Sequence, residues 1–358
     1  MSRYTKADNE IELDTDPALA VENLKVTKED FMVTLQDIKP SFGFWYRIKT
    51  MIAASSKLRQ IRVGPLFRSR QSQQLPVVSC TCIRKHSSTI KDAPELVVEN
   101  LDGALTGAVV IGLNRPNSRN AFSRNLLTLF EDAIKKVQFD SNIRVLILRS
   151  MHPGMFSAGA DLKERATMTP AEVGPFVSSL RASLRAFQNL PVPTICAIDG
   201  VAVGGGMEVS LTCDMRVASD DAKMGLVETK LAIIPGGGGT QNISRLVGPS
   251  LAKELIFTGR TISGKEAARL GLVNHSVPQN TEGDAAYQRA LLLAQEIVPQ
   301  GPIALRAAKQ AINSGSEVDL STALSIEQLC YAMTIPTKDR LEGLTAFKEK
   351  RKPNYTGE

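Results

Sequence analysis

Residues 193–219 read PTICAIDGVAVGGGMEVSLTCDMRVAS, and this stretch decides the fold class. An apolar β-rich run begins it and another ends it, with a triple glycine and a short apolar run of helical character between them. Glycines between a strand and a helix leave backbone N–H groups free to face a ligand at the positive end of the helix. The stretch therefore predicts a strand, a glycine turn, a helix and a second strand, as in an α/β domain.

The same alternation continues on the N-terminal side of this stretch. The apolar runs AVVIGLNR, at 108–115, and RVLILRS, at 144–150, predict further strands. Helices are predicted over 123–140, capped by Ser123, and over 170–189, capped by Thr169.

Beyond about residue 250 the strand signal fades. Five helices are predicted there, at 253–258, 264–270, 284–297, 302–313 and 321–333, and a polar, basic tail begins at residue 336. The sequence thus predicts an α/β core over residues 92–250 and a helical C-terminal region over residues 251–358.

The first 91 residues divide into two parts of different composition. Residues 51–91 begin with Met, contain eight basic and no acidic residues, and are rich in Ser and Gln. That composition is typical of a disordered mitochondrial transit peptide, and a basic linker is the alternative. Residues 1–50 contain LKVTKEDF and DIKPSFG, which resemble a fragment of the N-ethylmaleimide-sensitive fusion ATPase. We interpret residues 1–50 as an extraneous, chimeric segment preceding a natural start at Met51; a dispensable helical extension is the alternative.

Charge and cysteine content exclude several classes of protein. The formal net charge is +6, but residues 92–358 contain 28 basic and 28 acidic residues, so bulk charge does not indicate a nucleic-acid partner. Five scattered cysteines indicate reduced thiols rather than a disulfide framework. The three histidines are widely spaced, which predicts no metal site. No run of about 18 apolar residues predicts a membrane span.

Three blocks rich in small residues follow predicted strands: FSAGADL at 156–162, DGVAVGGGME at 199–208 and ETKLAIIPGGGGTQ at 228–241. Each block alone predicts only a tight turn, and none is a phosphate loop. Together, in this order and spacing, they resemble the crotonase (enoyl-CoA hydratase/isomerase) superfamily over about residues 95–358. The resemblance implies a crotonase-like spiral of ββα units, followed by a helical C-terminal trimerisation region.

The resemblance implies a site for adding water to a 2-enoyl-CoA. The backbone amides of Ala160 and Gly205 would bind the thioester oxygen as it gains charge, and small residues there allow the substrate to approach. Glu208 would help to activate water, and Glu228 would deliver the proton to Cα. The backbone of Gly236 would help to hold the water. Members that only shift double bonds commonly lack the first glutamate, so the presence of both favours hydration over isomerisation.

Further positions match the part of the family that handles coenzyme A. Lys163 and Lys350 match lysines that approach the CoA phosphates, the second from a neighbouring subunit of a homotrimer or homohexamer; ordinary surface lysines are the alternative. Asn117 stands where relatives often carry a basic residue. Asp214 matches a structural acid, and we expect it to act as a cap or in an ion pair. No metal or redox cofactor is expected, since coenzyme A is part of the substrate.

Finer matches, such as GADLKERATM and TIPTKDRLEGLTAFKEKR, resemble two mitochondrial branches, the methylglutaconyl-CoA hydratases and the enoyl-CoA hydratase domain-containing proteins. These branches imply a matrix enzyme acting on 3-methylglutaconyl-CoA from leucine breakdown, or on short-chain enoyl-CoA from fatty-acid oxidation. Members of the first branch bind AU-rich RNA through lysines spaced four apart on one helix. Here the matching face holds Arg124, Thr128 and Asp132, so RNA binding is not predicted. An isomerase, or an RNA-binding protein with residual hydratase activity, is the alternative function.

Overall fold

Two mostly parallel sheets form the centre of the structure, a computed structural model that describes residues 94–358. The predictions made for residues 1–50 and 51–91 lie outside the described residues. The larger sheet has the strand order β1 (Leu96–Asn100), β2 (Ala108–Leu113), β3 (Val145–Ser150), β5 (Thr194–Ile198), β7 (Met215–Ser219) and β10 (His275–Val277). The smaller sheet has the order β4 (Gly154–Ser157), β6 (Gly200–Val203), β8 (Lys223–Gly225) and β9 (Ile262–Ser263). Only β1 and β9 pair antiparallel to their neighbours.

Consecutive strand pairs explain how the two sheets are built together. In each of the pairs β3–β4, β5–β6 and β7–β8, the first strand joins the larger sheet and the second joins the smaller sheet. Helical residues follow each pair, so the chain advances in ββα units. The predicted spiral of ββα units is thereby confirmed.

Eleven α-helices surround and follow the sheets within the described residues. They are α1 (Arg124–Phe139), α2 (Leu162–Ala166), α3 (Pro170–Gln188), α4 (Gly205–Leu211), α5 (Gly239–Val247), α6 (Pro249–Thr258), α7 (Gly264–Arg269), α8 (Ala285–Ile297), α9 (Pro302–Gly315), α10 (Leu320–Ala332) and α11 (Lys338–Glu349). None of these helices is both long and apolar enough to cross a bilayer.

The helix α1 shows how the sequence sets the packing. Its buried side chains are Leu126, Leu127, Phe130, Ala133, Ile134 and Val137, which recur every three or four residues and so share one face. The Ser123 hydroxyl accepts a hydrogen bond from the Leu126 amide (3.1 Å) and caps the helix, as predicted. Phe130 packs against Phe187 of α3, with ring centroids 5.1 Å apart. Burying each such side chain contributes about 1.5–3 kcal/mol.

The structure contains elements that the sequence patterns did not predict. The smaller sheet consists of strands of two to four residues, which are too short to show a periodic pattern. The strands β9 and β10 follow residue 250, so strand structure continues into the C-terminal region. The tail contains the helix α11, whose start is capped by the Thr337 hydroxyl, which accepts a hydrogen bond from the Arg340 amide (3.1 Å).

Candidate active site

Glu208 is a buried carboxylate, only 3% exposed, on the short helix α4. Its Oε1 accepts hydrogen bonds from the amides of Gly237 (2.7 Å) and Gly239 (2.8 Å). Burial raises the pKa of Glu208, while these two amides and the charges of Arg181 and Arg165 act against the rise. The carboxylate is therefore fixed in position, and its ionised form is partly stabilised.

The glycine loop, formed by the four glycines at 236–239, packs closely against Glu208. A Cβ on Gly237 would lie 2.9 Å from Glu208 Oε2, and a Cβ on Gly239 would lie 3.0 Å from Glu208 Cγ. A side chain at either position would press on the glutamate. Glycine thus allows the loop amides to reach Glu208.

Glu228 lies at the start of a 3₁₀ turn (Glu228–Leu231) and is 8% exposed. Both carboxylate oxygens are shielded from solvent and have no hydrogen-bond partner among residues 94–358. Burial, with a smaller effect from the charge of Glu208, raises the pKa of Glu228 from 4.5 to about 7. The two glutamates therefore differ: one is held by amides, and the other can carry a proton at neutral pH.

The backbones of Ala160 and Gly205 approach each other closely. A Cβ on Gly205 would lie 3.4 Å from the Ala160 amide nitrogen. The Phe122 amide donates to the Gly159 carbonyl (2.7 Å) and the Phe122 carbonyl accepts from Asp161 (3.2 Å), so the intervening Ala160 amide faces the other way.

Neither the Ala160 nor the Gly205 amide donates a hydrogen bond within residues 94–358. The Gly205 amide lies in the first turn of α4, where N–H groups lack partners within the helix. Glu228 is adjacent, since a Cβ on Gly204 would lie 3.7 Å from its Oε1. Two neighbouring free donors beside a carboxyl can bind an oxygen that gains negative charge.

Gly236 lies beside the helix α3 rather than against Glu208. Its carbonyl accepts a hydrogen bond from Arg181 Nε (3.0 Å), and a Cβ at this position would lie 3.1 Å from Val177 Cγ1. Gly237 and Gly239, not Gly236, supply the amides that reach Glu208. The water-holding role of the Gly236 backbone stays a prediction.

The predicted CoA lysines are both exposed. Lys163 lies in α2, and Lys350 caps the end of α11. Neither ammonium group has a hydrogen bond or ion pair within residues 94–358. Asn117 is also exposed, in a 3₁₀ turn (Pro116–Ser118). Binding of CoA phosphates by these positions stays a prediction.

Asp214 forms the ion pair that was expected of it. Its Oδ2 lies 2.8 Å from Lys309 Nζ of α9 and accepts hydrogen bonds from the amide (2.7 Å) and hydroxyl (3.0 Å) of Thr194. The contact ties the C-terminal helices to the start of β5. A cavity of about 440 Å³ beside this pair contains neither Glu208 nor Glu228.

The helix face considered for RNA carries charges that are already paired. Arg124 lies 3.2 Å from Glu172 and 3.8 Å from Glu164, and Asp132 lies 3.3 Å from Lys135. The charges on this face leave the expectation from the sequence unchanged: RNA binding is not predicted. Within the described residues, no three His, Cys, Asp or Glu side chains are grouped to hold a metal ion.

Sequence reasoning missed two arginines near Glu208, Arg165 and Arg181, whose charges lower the pKa of that glutamate. Arg165 stands in the quoted GADLKERATM block, but nothing in the pattern distinguishes it from its charged neighbours. Arg181 faces the glycine loop only because α3 packs there. Their proximity to the site depends on tertiary structure.

Comparisons with known proteins agree with this geometry. A family profile described as enoyl-CoA hydratase/isomerase matches residues 104–358. Human mitochondrial methylglutaconyl-CoA hydratase is 59% identical over 275 residues, which cover 77% of this chain and 81% of that protein. Human mitochondrial enoyl-CoA hydratase domain-containing protein 2 is 53% identical over 263 residues, covering 74% and 90%.

A solved structure shares the fold. The crystal structure of enoyl-CoA hydratase from Bacillus anthracis superposes with a TM-score of 0.71 at 46% identity, covering 74% of this chain and all of that one. Both the sequence match and the structural match span the part of the chain that holds the two glutamates and the two free amides. This chain belongs to the enoyl-CoA hydratase/isomerase family.

Proposed function

We propose that the protein is a mitochondrial enoyl-CoA hydratase that adds water to 3-methylglutaconyl-CoA. The observation that carries the proposal is the pair of buried carboxylates in different environments, Glu208 held by two amides and Glu228 without a partner within residues 94–358. Relatives that are 53–59% identical are named as mitochondrial hydratases or hydratase-domain proteins, which supports the reaction class and the compartment.

The reaction begins when the substrate carbonyl binds the free amides of Ala160 and Gly205. The bound oxygen gains negative charge as water attacks Cβ, and donors already aimed at it lower the barrier. Removing one such donor in other enzymes costs about 10²–10³ in kcat. The amide of Gly205 also gains from its place at the N-terminus of α4.

The two glutamates exchange the protons of the reaction. Glu208 accepts a proton from the attacking water as the C–O bond forms at Cβ. Glu228, protonated in part at neutral pH because of its pKa of about 7, donates a proton to Cα. The proton taken up by Glu208 then returns to Glu228, so both groups regain their starting states, and the product has gained one water.

Isomerisation is the second candidate, because shifting a double bond needs only proton transfer. The two amides that hold Glu208 favour hydration, since a carboxylate fixed in position suits the activation of water. Short-chain enoyl-CoA is the alternative substrate. No described residue argues for RNA as a ligand.

We also propose that a neighbouring subunit completes the site in a homotrimer or homohexamer. Members of the family act on acyl-CoA and are typically oligomeric. The apolar side chains of Leu162, Ile233 and Ile234, near the candidate site, are exposed in the single chain. Lys350 from a neighbouring α11, with Lys163, would then bind the CoA phosphates as flexible point charges.

Turnover by the purified full chain tests the reaction class. Crotonyl-CoA and 3-methylglutaconyl-CoA should both lose the absorbance of the conjugated thioester, and the product should gain the mass of one water. A gain of that absorbance from a 3-enoyl-CoA, with no hydration of either 2-enoyl-CoA, would identify an isomerase instead.

A further inference from the structure

Arg165 is a half-buried guanidinium without an anionic partner in the described structure. It lies in α2, with its guanidinium carbon 4.8 Å from the centre of the Phe176 ring. Its side chain makes no hydrogen bond or ion pair within residues 94–358. Burying a cation with five N–H donors costs free energy that stacking on one ring only partly offsets.

Two other shielded arginines of the described residues have partners at short distances. Arg115 pairs with Asp161 (2.7 Å) and Glu95 (2.9 Å), and Arg216 donates to three backbone carbonyls. Glu164, the carboxylate next to Arg165 in the chain, accepts instead from the Arg124 amide (3.0 Å). The Arg165 guanidinium can therefore bind an anion, and the described residues supply none within hydrogen-bond distance.

The place of Arg165 relates it to the reacting end of the substrate. Phe176, on which it stacks, precedes Val177, and a Cβ on Gly236, at the start of the glycine loop, would lie 3.1 Å from Val177 Cγ1. The amides that follow in this loop hold Glu208, and the charge of Arg165 reaches that carboxylate. Arg165 thus lies near Glu208 and the glycine loop that holds it, and Glu208 is the residue proposed to activate the water that attacks Cβ.

Two anions of an acyl-CoA could meet this guanidinium, the CoA phosphates or a carboxylate on the acyl group. The phosphates lie beyond the sulfur, on the opposite side of the thioester from Cβ. In a glutaconyl group the distal carboxylate lies two carbons beyond Cβ, the atom that receives the water activated by Glu208. The position of Arg165 therefore favours the acyl carboxylate.

We propose that Arg165 selects acyl-CoA substrates whose acyl chain ends in a carboxylate, by binding that carboxylate through its guanidinium. The planar guanidinium suits two parallel hydrogen bonds to a carboxylate, and stacking on Phe176 holds it in place. The inference rests on the proposed function and adds to it the residue that selects the substrate.

Arg165→Gln in the full chain tests this inference with glutaconyl-CoA and crotonyl-CoA, which differ only in the distal carboxylate. The variant should lose about 100-fold in kcat/KM for glutaconyl-CoA, because the carboxylate loses its charged partner, and less than about 3-fold for crotonyl-CoA. Arg165→Lys should recover part of the loss. Arg185→Gln, which changes an exposed arginine of α3, should leave both values unchanged.

Equal losses for both substrates would show that Arg165 is structural, and no loss for either would show that it has no part in recognition. Either result overturns the inference while the hydratase reaction stands. A binding measurement separates the inference from turnover: glutaryl-CoA should bind the wild type at least about 10-fold more tightly than it binds Arg165→Gln, and butyryl-CoA equally. Equal binding of glutaryl-CoA to both proteins would also overturn the inference.

Discussion

At the scale of single residues, the absence of a partner for Glu228 within residues 94–358 sets its chemistry. Burial favours the neutral form of a carboxyl, and the pKa of Glu228 rises to about 7 mainly for that reason. The same burial is costly for folding, because the unfolded chain leaves the glutamate in water. Function and stability are therefore opposed at this residue.

The free-energy cost of burying Glu228 should increase as the pH rises. The pKa of Glu228 is about 7 in the folded protein, against an ordinary value of 4.5, so the folded state loses stability as the pH rises between these values. The loss should be on the order of 3 kcal/mol above pH 7. Glu228→Gln, which cannot ionise, should gain stability relative to the wild type by about this amount between pH 4.5 and pH 8.

Chemical denaturation of both proteins across this pH range would measure the effect. Glu99→Gln, at an exposed position on β1, is the matched control and should show no such trend. A difference between wild type and Glu228→Gln that stays constant with pH would contradict the burial of an ionisable Glu228.

At the scale of secondary-structure elements, small residues let the β4–α2 turn and the start of α4 approach each other. Gly159 has a φ of +91°, and a Cβ there would lie 2.8 Å from the Gly205 amide nitrogen and 2.9 Å from the Val203 carbonyl. From the sequence, the small residues of each block alone indicated only a tight turn, and the resemblance to the family implied that Ala160 and Gly205 act together. The sequence could not indicate that the amides of Gly237 and Gly239, in the glycine loop, donate hydrogen bonds to Glu208.

Gly159→Ala should therefore damage both folding and catalysis. The added methyl group would push on the Gly205 amide, so we expect a stability loss of about 2–4 kcal/mol and a fall in kcat of at least about 10-fold. Gly271→Ala is the control, since Gly271 also has a positive φ (+77°) but open space around its Cβ position. Its cost should be near 1 kcal/mol, with kcat unchanged. Equal effects of the two changes, in thermal unfolding and in turnover, would refute the close approach.

At the scale of the whole molecule, sequence patterns predicted the elements that are long and locally encoded. The strands β2, β3, β5 and β7 of the larger sheet were found because each is a buried apolar run, and α1 because of its periodic apolar face. The smaller sheet was missed because its strands pair across long separations and contain as few as two residues. The helix α11 was missed because most of its residues are charged or polar, so its few apolar residues gave no clear helical pattern. Its large apolar residues are exposed in the single chain.

Those exposed residues predict association of subunits through the C-terminal helices. Leu341, Leu344 and Phe347 of α11 are exposed, Phe347 at 87%. Phe347→Asp should shift the protein from the proposed trimer or hexamer towards monomer in sedimentation, because a charge would be buried at the interface. Phe139→Asp, at an equally exposed phenylalanine of α1, should keep the oligomer. An unchanged mass for Phe347→Asp would place the interface elsewhere.

The most direct test of the account is the hydration assay on crotonyl-CoA and 3-methylglutaconyl-CoA, carried out with wild type, Glu208→Gln and Glu228→Gln. Both variants should fold and lose about 10²–10⁴ in kcat, because each removes one proton-transfer group from the same reaction. A folded Glu208→Gln or Glu228→Gln protein that hydrates either substrate at the wild-type rate would contradict the two-carboxylate mechanism.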